Sequence, residues 1–421
     1  MDYKQAVDYI HSTLKFGSKL GLQNMRKLLA LMGDPHKKLR FIHIAGTNGK
    51  GSVVSYLSHI LIENGLRVGT YTSPYIMVFN ERIKLDFENI EDGELGLITT
   101  YVKEKIDMLL AKGENHPTEF EIITCIAFEY FMRKKCDIVV LETGLGGRLD
   151  ATNIIEAPEY AVITKIGMDH MEYLGTTLGQ IAAEKAGIIK RGSKIFSVPQ
   201  EEEAMLVLKK ACDIMDCPLY VIDPGFELLS RDIMKQCYKY DGNEICIKLH
   251  GDHQIENSIL AYELSKDMGI STDTILRGLL KTVWVGRFEV LRRSPTVIID
   301  GAHNIQGVIE LGKTIRSYFK DKKIIFIMGV FKDKDYAGMI RQVYPLAKYF
   351  HTIDIDNPRA LDAEELMEEI KKYFSGVEKS SGIKEALEKS IGMAEKDDII
   401  IAFGSLSYIG EVKRLIESPG G

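Results

Sequence analysis

A short apolar run at 41–45 passes without a spacer into Gly46-Thr47-Asn48-Gly49-Lys50-Gly51-Ser52, and that loop opens a helix-period run over 53–64. Few arrangements satisfy this succession. The strand must be buried in a sheet, the helix must return along the sheet face, and the glycine loop is left at the carboxyl edge with the first helix amides aimed into it. Glycines admit close backbone approach, Lys50 adds a cation, and the Ser52 hydroxyl suits Mg²⁺. Thr47, Asn48, Gly49, Lys50, Gly51 and Ser52 are therefore expected to hold the phosphates of ATP.

The alternation continues along the chain. Strand-like runs at 67–72, 137–142, 160–166 and 194–198 are separated by helix-period segments such as 119–134, 177–189 and 202–215. Such a pattern predicts an α/β fold, a mostly parallel sheet with helices on both faces that binds its ligands beyond the carboxyl ends of the strands. After Arg293-Ser294-Pro295 the pattern restarts, with strands at 296–300, 323–328, 350–353 and 398–403 and helices at 305–319, 363–373 and 383–395. A chain of 421 residues exceeds what one core usually serves. Because Pro295 interrupts strand pairing, the boundary is placed at Ser294, giving an ATP-binding domain over 1–293 and a smaller α/β domain over 294–421.

Composition narrows the partners. Charged residues make up 27% and hydrophobic residues 45%, which describes a chain able to bury a core. A formal net charge of -6, without a basic block, argues against nucleic acid. No apolar run reaches the length of a membrane span, and the start Met1-Asp2-Tyr3-Lys4 lacks a secretory pattern, so a cytoplasmic monomer acting on small molecules is expected. The six cysteines, Cys125, Cys136, Cys212, Cys217, Cys237 and Cys246, show neither C-x-x-C nor zinc-finger spacing and are read as reduced thiols filling apolar gaps.

Further motifs fall at the ends of the predicted strands. Ser73-Pro74 precedes Glu81-Arg82; Glu142-Thr143-Gly144-Leu145-Gly146-Gly147-Arg148-Leu149-Asp150-Ala151-Thr152-Asn153 follows the strand at 137–142; Thr164 to His170 follows the next. A carboxylate at a strand end beside a phosphate loop is placed to give Mg²⁺ the hard oxygen it needs, which singles out Glu142. In the second block, Trp284-Val285-Gly286-Arg287-Phe288-Glu289 is followed by Asp300-Gly301-Ala302-His303-Asn304 and, late in the chain, by Gly404-Ser405.

Taken in order, these motifs resemble those of the folylpolyglutamate synthase/dihydrofolate synthase family of the Mur ligase superfamily. The loop departs from G-x-x-x-x-G-K-[ST], since Ile44 stands at the first glycine and Gly51 separates Lys50 from Ser52. GTNGKGS is the form this resemblance implies. Val285 stands where the family carries proline.

The resemblance implies a P-loop ATPase-type sheet followed by a Rossmann-like domain, and a set of roles. Ser52, Ser73, Glu142 and His170 would hold Mg²⁺. Lys185, in Glu184-Lys185-Ala186-Gly187, would be carbamylated to N6-carboxylysine, which replaces a cation near the metal by anionic oxygens. Lys50, Lys185 and His170 would form the catalytic set, with Asn257, Arg287 and Asp300 on the nucleotide. Phe120, Leu149, Asp150 and Ala151 would face the pterin, where Asp150 suits the ring N–H donors as a two-oxygen acceptor. His303 and Ser405 would receive glutamate.

The implied reaction is ATP-dependent addition of L-glutamate to folates, and to dihydropteroate as well, through an acyl phosphate. Two other readings remain open. A UDP-muramyl amino-acid ligase shares the ATP chemistry, although only 45 residues precede Gly46. A non-catalytic ATP-binding switch would leave Glu142, His170 and Lys185 without a purpose.

Overall fold

The computed structural model describes residues 1–17 and 21–418. It divides into two compact units, Met1–Gly225 with Glu256–Lys281, and Phe226–Ile255 with Thr282–Gly421.

In the first unit, β1 (Phe41–Ala45), β2 (Val68–Tyr71), β3 (Ile83–Leu85), β4 (Glu88–Asn89), β5 (Ile138–Glu142), β6 (Tyr160–Ile163), β7 (Lys194–Ser197) and β8 (Leu219–Val221) form one sheet. Their order is β4-β3-β2-β5-β1-β6-β7-β8. The six strands from β2 to β8 in that order pair in parallel, and β3 pairs antiparallel with both β2 and β4. β1 lies between β5 and β6, so the chain leaves it in one direction for β2 and later fills the other side. That crevice is the topological switch point at which such sheets bind ligands.

Burial explains the central position of β1 and β5. All five residues of each are buried, as near-continuous apolar runs in a doubly covered sheet must be. One side packs through Ile126, Phe128, Phe131, Val139 and Leu141, the other through Ala45, Ala161, Ile163, Ile181 and Ile195. The helix Lys50–Glu63 buries every residue from Gly51 to Leu61.

The second unit holds two sheets. β9 (Glu227–Arg231), β10 (Gln236–Tyr240) and β11 (Asn243–Ile247) form an antiparallel meander. β12 (Glu289–Arg293), β13 (Thr296–Ile299), β14 (Ile324–Met328), β15 (Ala347–Thr352), β16 (Val377–Lys379) and β17 (Ile399–Phe403) form a sheet of order β12-β13-β17-β14-β15-β16, parallel except for β12. Its core gathers Ile298, Phe326, Met328, Phe350, Ile401 and Phe403. No helix among the described residues is long and apolar enough to cross a membrane.

The expected α/β class is what the molecule shows, with two differences of detail. The division does not fall at Ser294. Pro295 occupies the turn of the β12/β13 hairpin, where a residue without an amide proton does not break the ladder, and the second unit already includes 226–255. The reduced state expected of all six cysteines is also corrected. Cys237 and Cys246 lie directly opposite each other across β10 and β11, with Cα atoms 4.1 Å apart, and are joined as a disulfide. Hairpin register brings together residues that no short Cys spacing marks. Cys125, Cys136 and Cys212 remain free and buried, and Cys217 is free and half-buried.

Candidate active site

The four strands β2, β5, β1 and β6 are neighbours, and each delivers a motif from its carboxyl end. After β1 the chain turns at Gly46, whose φ of 156° and whose distance to Thr164 leave no room for a side chain: a Cβ there would stand 1.8 Å from Thr164 Oγ1. The Thr47 and Asn48 amides donate to the Lys165 carbonyl, and Thr47 Oγ1 donates to the Gly167 carbonyl at 3.0 Å. The loop is thus tied to the segment that follows β6. Gly49, at φ 91°, caps the helix Lys50–Glu63, and the side chain of Asn257 lies so close that a Cβ on Gly49 would meet its Oδ1 at 2.7 Å.

Two ammonium groups converge on one carbonyl oxygen. Lys50 Nζ donates to Gly46 O at 3.2 Å and to Thr47 O at 3.4 Å, while Lys185 Nζ, on the helix Leu178–Ala186, donates to Gly46 O at 2.8 Å. Lys185 is 4% exposed. Burial, reinforced by the Lys50 charge, pulls its amine down to about 7. A like-charge pair at a helix N-terminus is a receptor for an anion.

Glu142 ends β5, is 5% exposed, and accepts the Ser73 amide at 3.2 Å, so two of the expected metal-binding residues are brought together. Ser52 is buried in the first turn of its helix. His170 caps the short helix Met171–Leu174 in the left-handed region, φ 51°, and its amide donates to Asp169. Carboxylate and hydroxyl oxygens are the donors that suit Mg²⁺, so Glu142, Ser52 and Ser73 fit that ion, and His170 would add an imidazole nitrogen.

The Ser73 loop is organised by Glu81, whose carboxylate accepts the amides of Ile76, Met77 and Val78 between 2.9 and 3.2 Å. The loop after β5 is pinned to the helix that carries Lys185. A Cβ at Gly147 would lie 2.8 Å from the Glu184 carbonyl, the Arg148 amide donates to that same oxygen, and Asn153 Nδ2 donates to Arg148 O and Gly187 O. Phe120, in the first turn of the helix Glu119–Arg133, packs its ring where a Cβ of Gly144 would be. Leu149 is half-buried and Ala151 buried in the same loop.

Asp150 is 7% exposed, and its oxygens are engaged within the loop. Oδ2 accepts the Leu145 amide at 2.7 Å, and Oδ1 accepts the Thr152 amide at 3.0 Å and the Thr152 hydroxyl at 2.5 Å. The Gly144 amide also hydrogen-bonds the carboxylate, so its roughly four lone-pair sites are largely taken up within the loop. Sequence reasoning missed His43, in the middle of β1, whose Nε2 lies 2.8 Å from Thr152 Oγ1. A histidine within an otherwise apolar central strand was the available signal.

In the second unit, the turn at Gly286 and the loop after β13 interlock. Asp300 accepts the Phe288 and Ala302 amides at 2.8 Å, the Gly301 amide donates to Gly286 O, and Arg287 Nη1 lies where a Cβ of Gly301 would be, 2.1 Å away. Burial raises the Asp300 carboxyl, opposed by the Arg287 charge. His303 Nδ1 lies 2.7 Å from Gly301 O, which closes the loop on itself. The Gly404 amide donates to Ala302 O, and Ser405 caps the helix Leu406–Glu417 by accepting the Ser407 amide. Arg287, Asp300, His303 and Ser405 therefore belong to one cluster of loops.

Residues 44–264 match the Mur ligase middle domain and residues 286–406 the Mur ligase glutamate ligase domain. The dihydrofolate synthase/folylpolyglutamate synthase of Bacillus subtilis (strain 168) is 38% identical over 99% of both chains. The chain belongs to the folylpolyglutamate synthase/dihydrofolate synthase family of Mur ligases. Among solved structures, folylpolyglutamate synthase of Mycobacterium tuberculosis, complexed with ADP and AMPPCP, superposes with a TM-score of 0.90 at 28% identity, covering 99% of this chain and 100% of that one. The folylpolyglutamate synthase of Thermotoga maritima gives 0.85 at 32% identity, over 99% and 97%. Members of this family thus share the fold along the whole chain.

Proposed function

We propose that the protein is an ATP-dependent ligase that joins L-glutamate to a folate, extending polyglutamates, and that it also glutamylates dihydropteroate. The observation that carries this reading is the convergence of Lys50 and Lys185 on the Gly46 carbonyl at a helix N-terminus. Relatives that match the chain over nearly its full length are named for folate, which favours a pterin acid over a UDP-muramyl acceptor.

A carboxylate does not react with an amine at neutral pH. The γ-phosphoryl group of ATP first passes to the acid, so that a P–O bond to ADP breaks and one to the acid forms. The glutamate amine then attacks the acyl carbon, phosphate leaves with the electron pair, and the amine loses a proton. Loop amides from Thr47 to Ser52 and Lys50 hold the phosphates and neutralise the charge that spreads over the γ-oxygens. Asn257, Arg287 and Asp300 are the further residues assigned to the nucleotide.

Ser52, Ser73, Glu142 and His170 would hold Mg²⁺, which supplies charge neutralisation at the phosphates. Lys185, with its amine near neutrality at physiological pH, is suited to react with CO2, and its carbamate would remove the repulsion against Lys50. Phe120, Leu149, Asp150 and Ala151 receive the pterin, and His303 and Ser405 receive glutamate. The protein works as a monomer.

Product masses decide the matter. With ATP, glutamate and either tetrahydrofolate or dihydropteroate, each acid is expected to gain one glutamate residue. Consumption of tetrahydrofolate alone would remove the dihydropteroate activity. ATP binding without any amide product would favour a nucleotide switch, and product from a UDP-muramyl acceptor would favour the other ligase class.

A further inference from the structure

His43 is fully buried in the central strand, yet its ring is not an inert core group. Its Nε2 lies 2.8 Å from Thr152 Oγ1, and the Thr152 hydroxyl lies 2.5 Å from Asp150 Oδ1. A hydroxyl has one proton. With that proton directed to the carboxylate, Thr152 must accept from His43, which fixes the imidazole as the Nε2–H tautomer. Nδ1 is then a bare lone pair, with no hydrogen-bond partner among the described residues. Burial holds the ring neutral, with its pKa pushed down to about 3. The chain of donors runs one way, from imidazole to hydroxyl to carboxylate, and each link polarises the next.

The three residues sit on elements that matter for the proposed reaction. His43 lies two residues before the end of β1, the strand that turns into the phosphate loop. Thr152 and Asp150 belong to the loop after β5. An unpartnered buried nitrogen is costly, so an apolar residue would fill this place at lower cost if packing were its only purpose. We infer that His43 is a positioning residue: through the Thr152 hydroxyl it fixes the Asp150 carboxylate, and with it the loop that receives the acid substrate, against the strand that carries the nucleotide. This rests on the ligase reading for its kinetic consequence, and on the loop geometry alone for its structural one.

Three substitutions separate this from a packing role. His43→Gln offers an amide N–H toward the position of the imidazole Nε2–H, His43→Leu keeps bulk without a donor, and Thr152→Val removes the hydroxyl at constant shape. The KM for tetrahydrofolate or dihydropteroate is expected to rise about tenfold in His43→Leu and in Thr152→Val, with the KM for ATP changed by less than about twofold. The double variant is expected to be no worse than either single one, and His43→Gln to stay near the native value. An unchanged acid KM in His43→Leu, equal losses in the Leu and Gln variants, or multiplying effects in the double variant would overturn the inference.

A second measurement needs no turnover. Ring ¹⁵N shifts of His43 should report Nε2 protonated and Nδ1 bare. Hydrogen exchange at the Leu145 and Thr152 amides, both donors to Asp150, should accelerate in His43→Leu and stay slow in His43→Gln. An Nδ1–H tautomer, or exchange indifferent to the substitution, sinks the positioning role. If the native protein makes no folate product, the ligase reading fails and these two readouts still decide the role of His43.

Discussion

Lys50 and Lys185 share an acceptor because two elements deliver them from opposite directions, one at the head of a helix and one within another helix across the loop. Lys50→Ala is expected to abolish turnover with the fold retained, read by product formation alongside circular dichroism. Near-native activity in that variant would contradict its role. Lys185, as the unmodified amine, gives a second, opposite expectation for stability. Its amine titrates near 7 when folded and at the ordinary 10.5 when unfolded, so between these values the unfolded chain binds more protons and stability rises with pH. Lys185→Met, which removes the buried cation at similar volume, should raise the melting temperature at neutral pH by several degrees and flatten that rise, while activity falls; a lower melting temperature would argue against a buried charge. Lys50, Glu142 and Ser73 were legible because each stands in a contiguous motif at a strand end. His43 and its contact with Thr152 were not, since that contact spans 109 positions and no local spacing encodes it.

At the scale of elements, the loop after β5 is held by close backbone approach rather than by side chains alone. Gly147 faces the Glu184 and Lys185 carbonyl oxygens at 2.8 and 3.0 Å from an added Cβ, and neither backbone atom can give way cheaply. Gly147→Ala should therefore cost about 1–3 kcal/mol in urea unfolding. An unchanged midpoint would show that the loop relaxes away from the helix. The parallel strands and long helices were readable from apolar runs and period, and the helix expected at 119–134 is found at Glu119–Arg133 behind a Thr118 capping box. The meander β9–β11 escaped because β9, Glu-Leu-Leu-Ser-Arg, has neither alternation nor burial to mark it. β12 escaped for a related reason: its Glu-Val-Leu-Arg-Arg is only half-buried and is followed by Pro295, which reads as an ending.

For the molecule as a whole, the chemistry proposed depends on a divalent ion. Chelation with EDTA should stop product formation, and excess Mg²⁺ should restore it without refolding; activity indifferent to chelation would remove the metal from the scheme. The class of fold was legible in the succession of elements, but the strand order was not, because nothing in local pattern says that β5 returns to lie between β2 and β1. Nor does the linear sequence announce that 226–255 joins the later unit while 256–281 joins the earlier one. The return of β5 has a consequence for how such a chain can grow. The stretch from Tyr71 to Ile138 first adds β3 and β4 at the sheet edge, then leaves the sheet after β4 and comes back to an address fixed by strand pairing, and it passes through a turn at Gly113 that is exposed, adopts φ 79° and has open space around it among the described residues. Closing a longer excursion costs only about 0.6 kcal/mol for each doubling of a flexible loop. Extra residues, or an entire guest sequence, spliced after Gly113 should leave the nucleotide chemistry untouched, which makes this bend a natural place for new modules to be acquired.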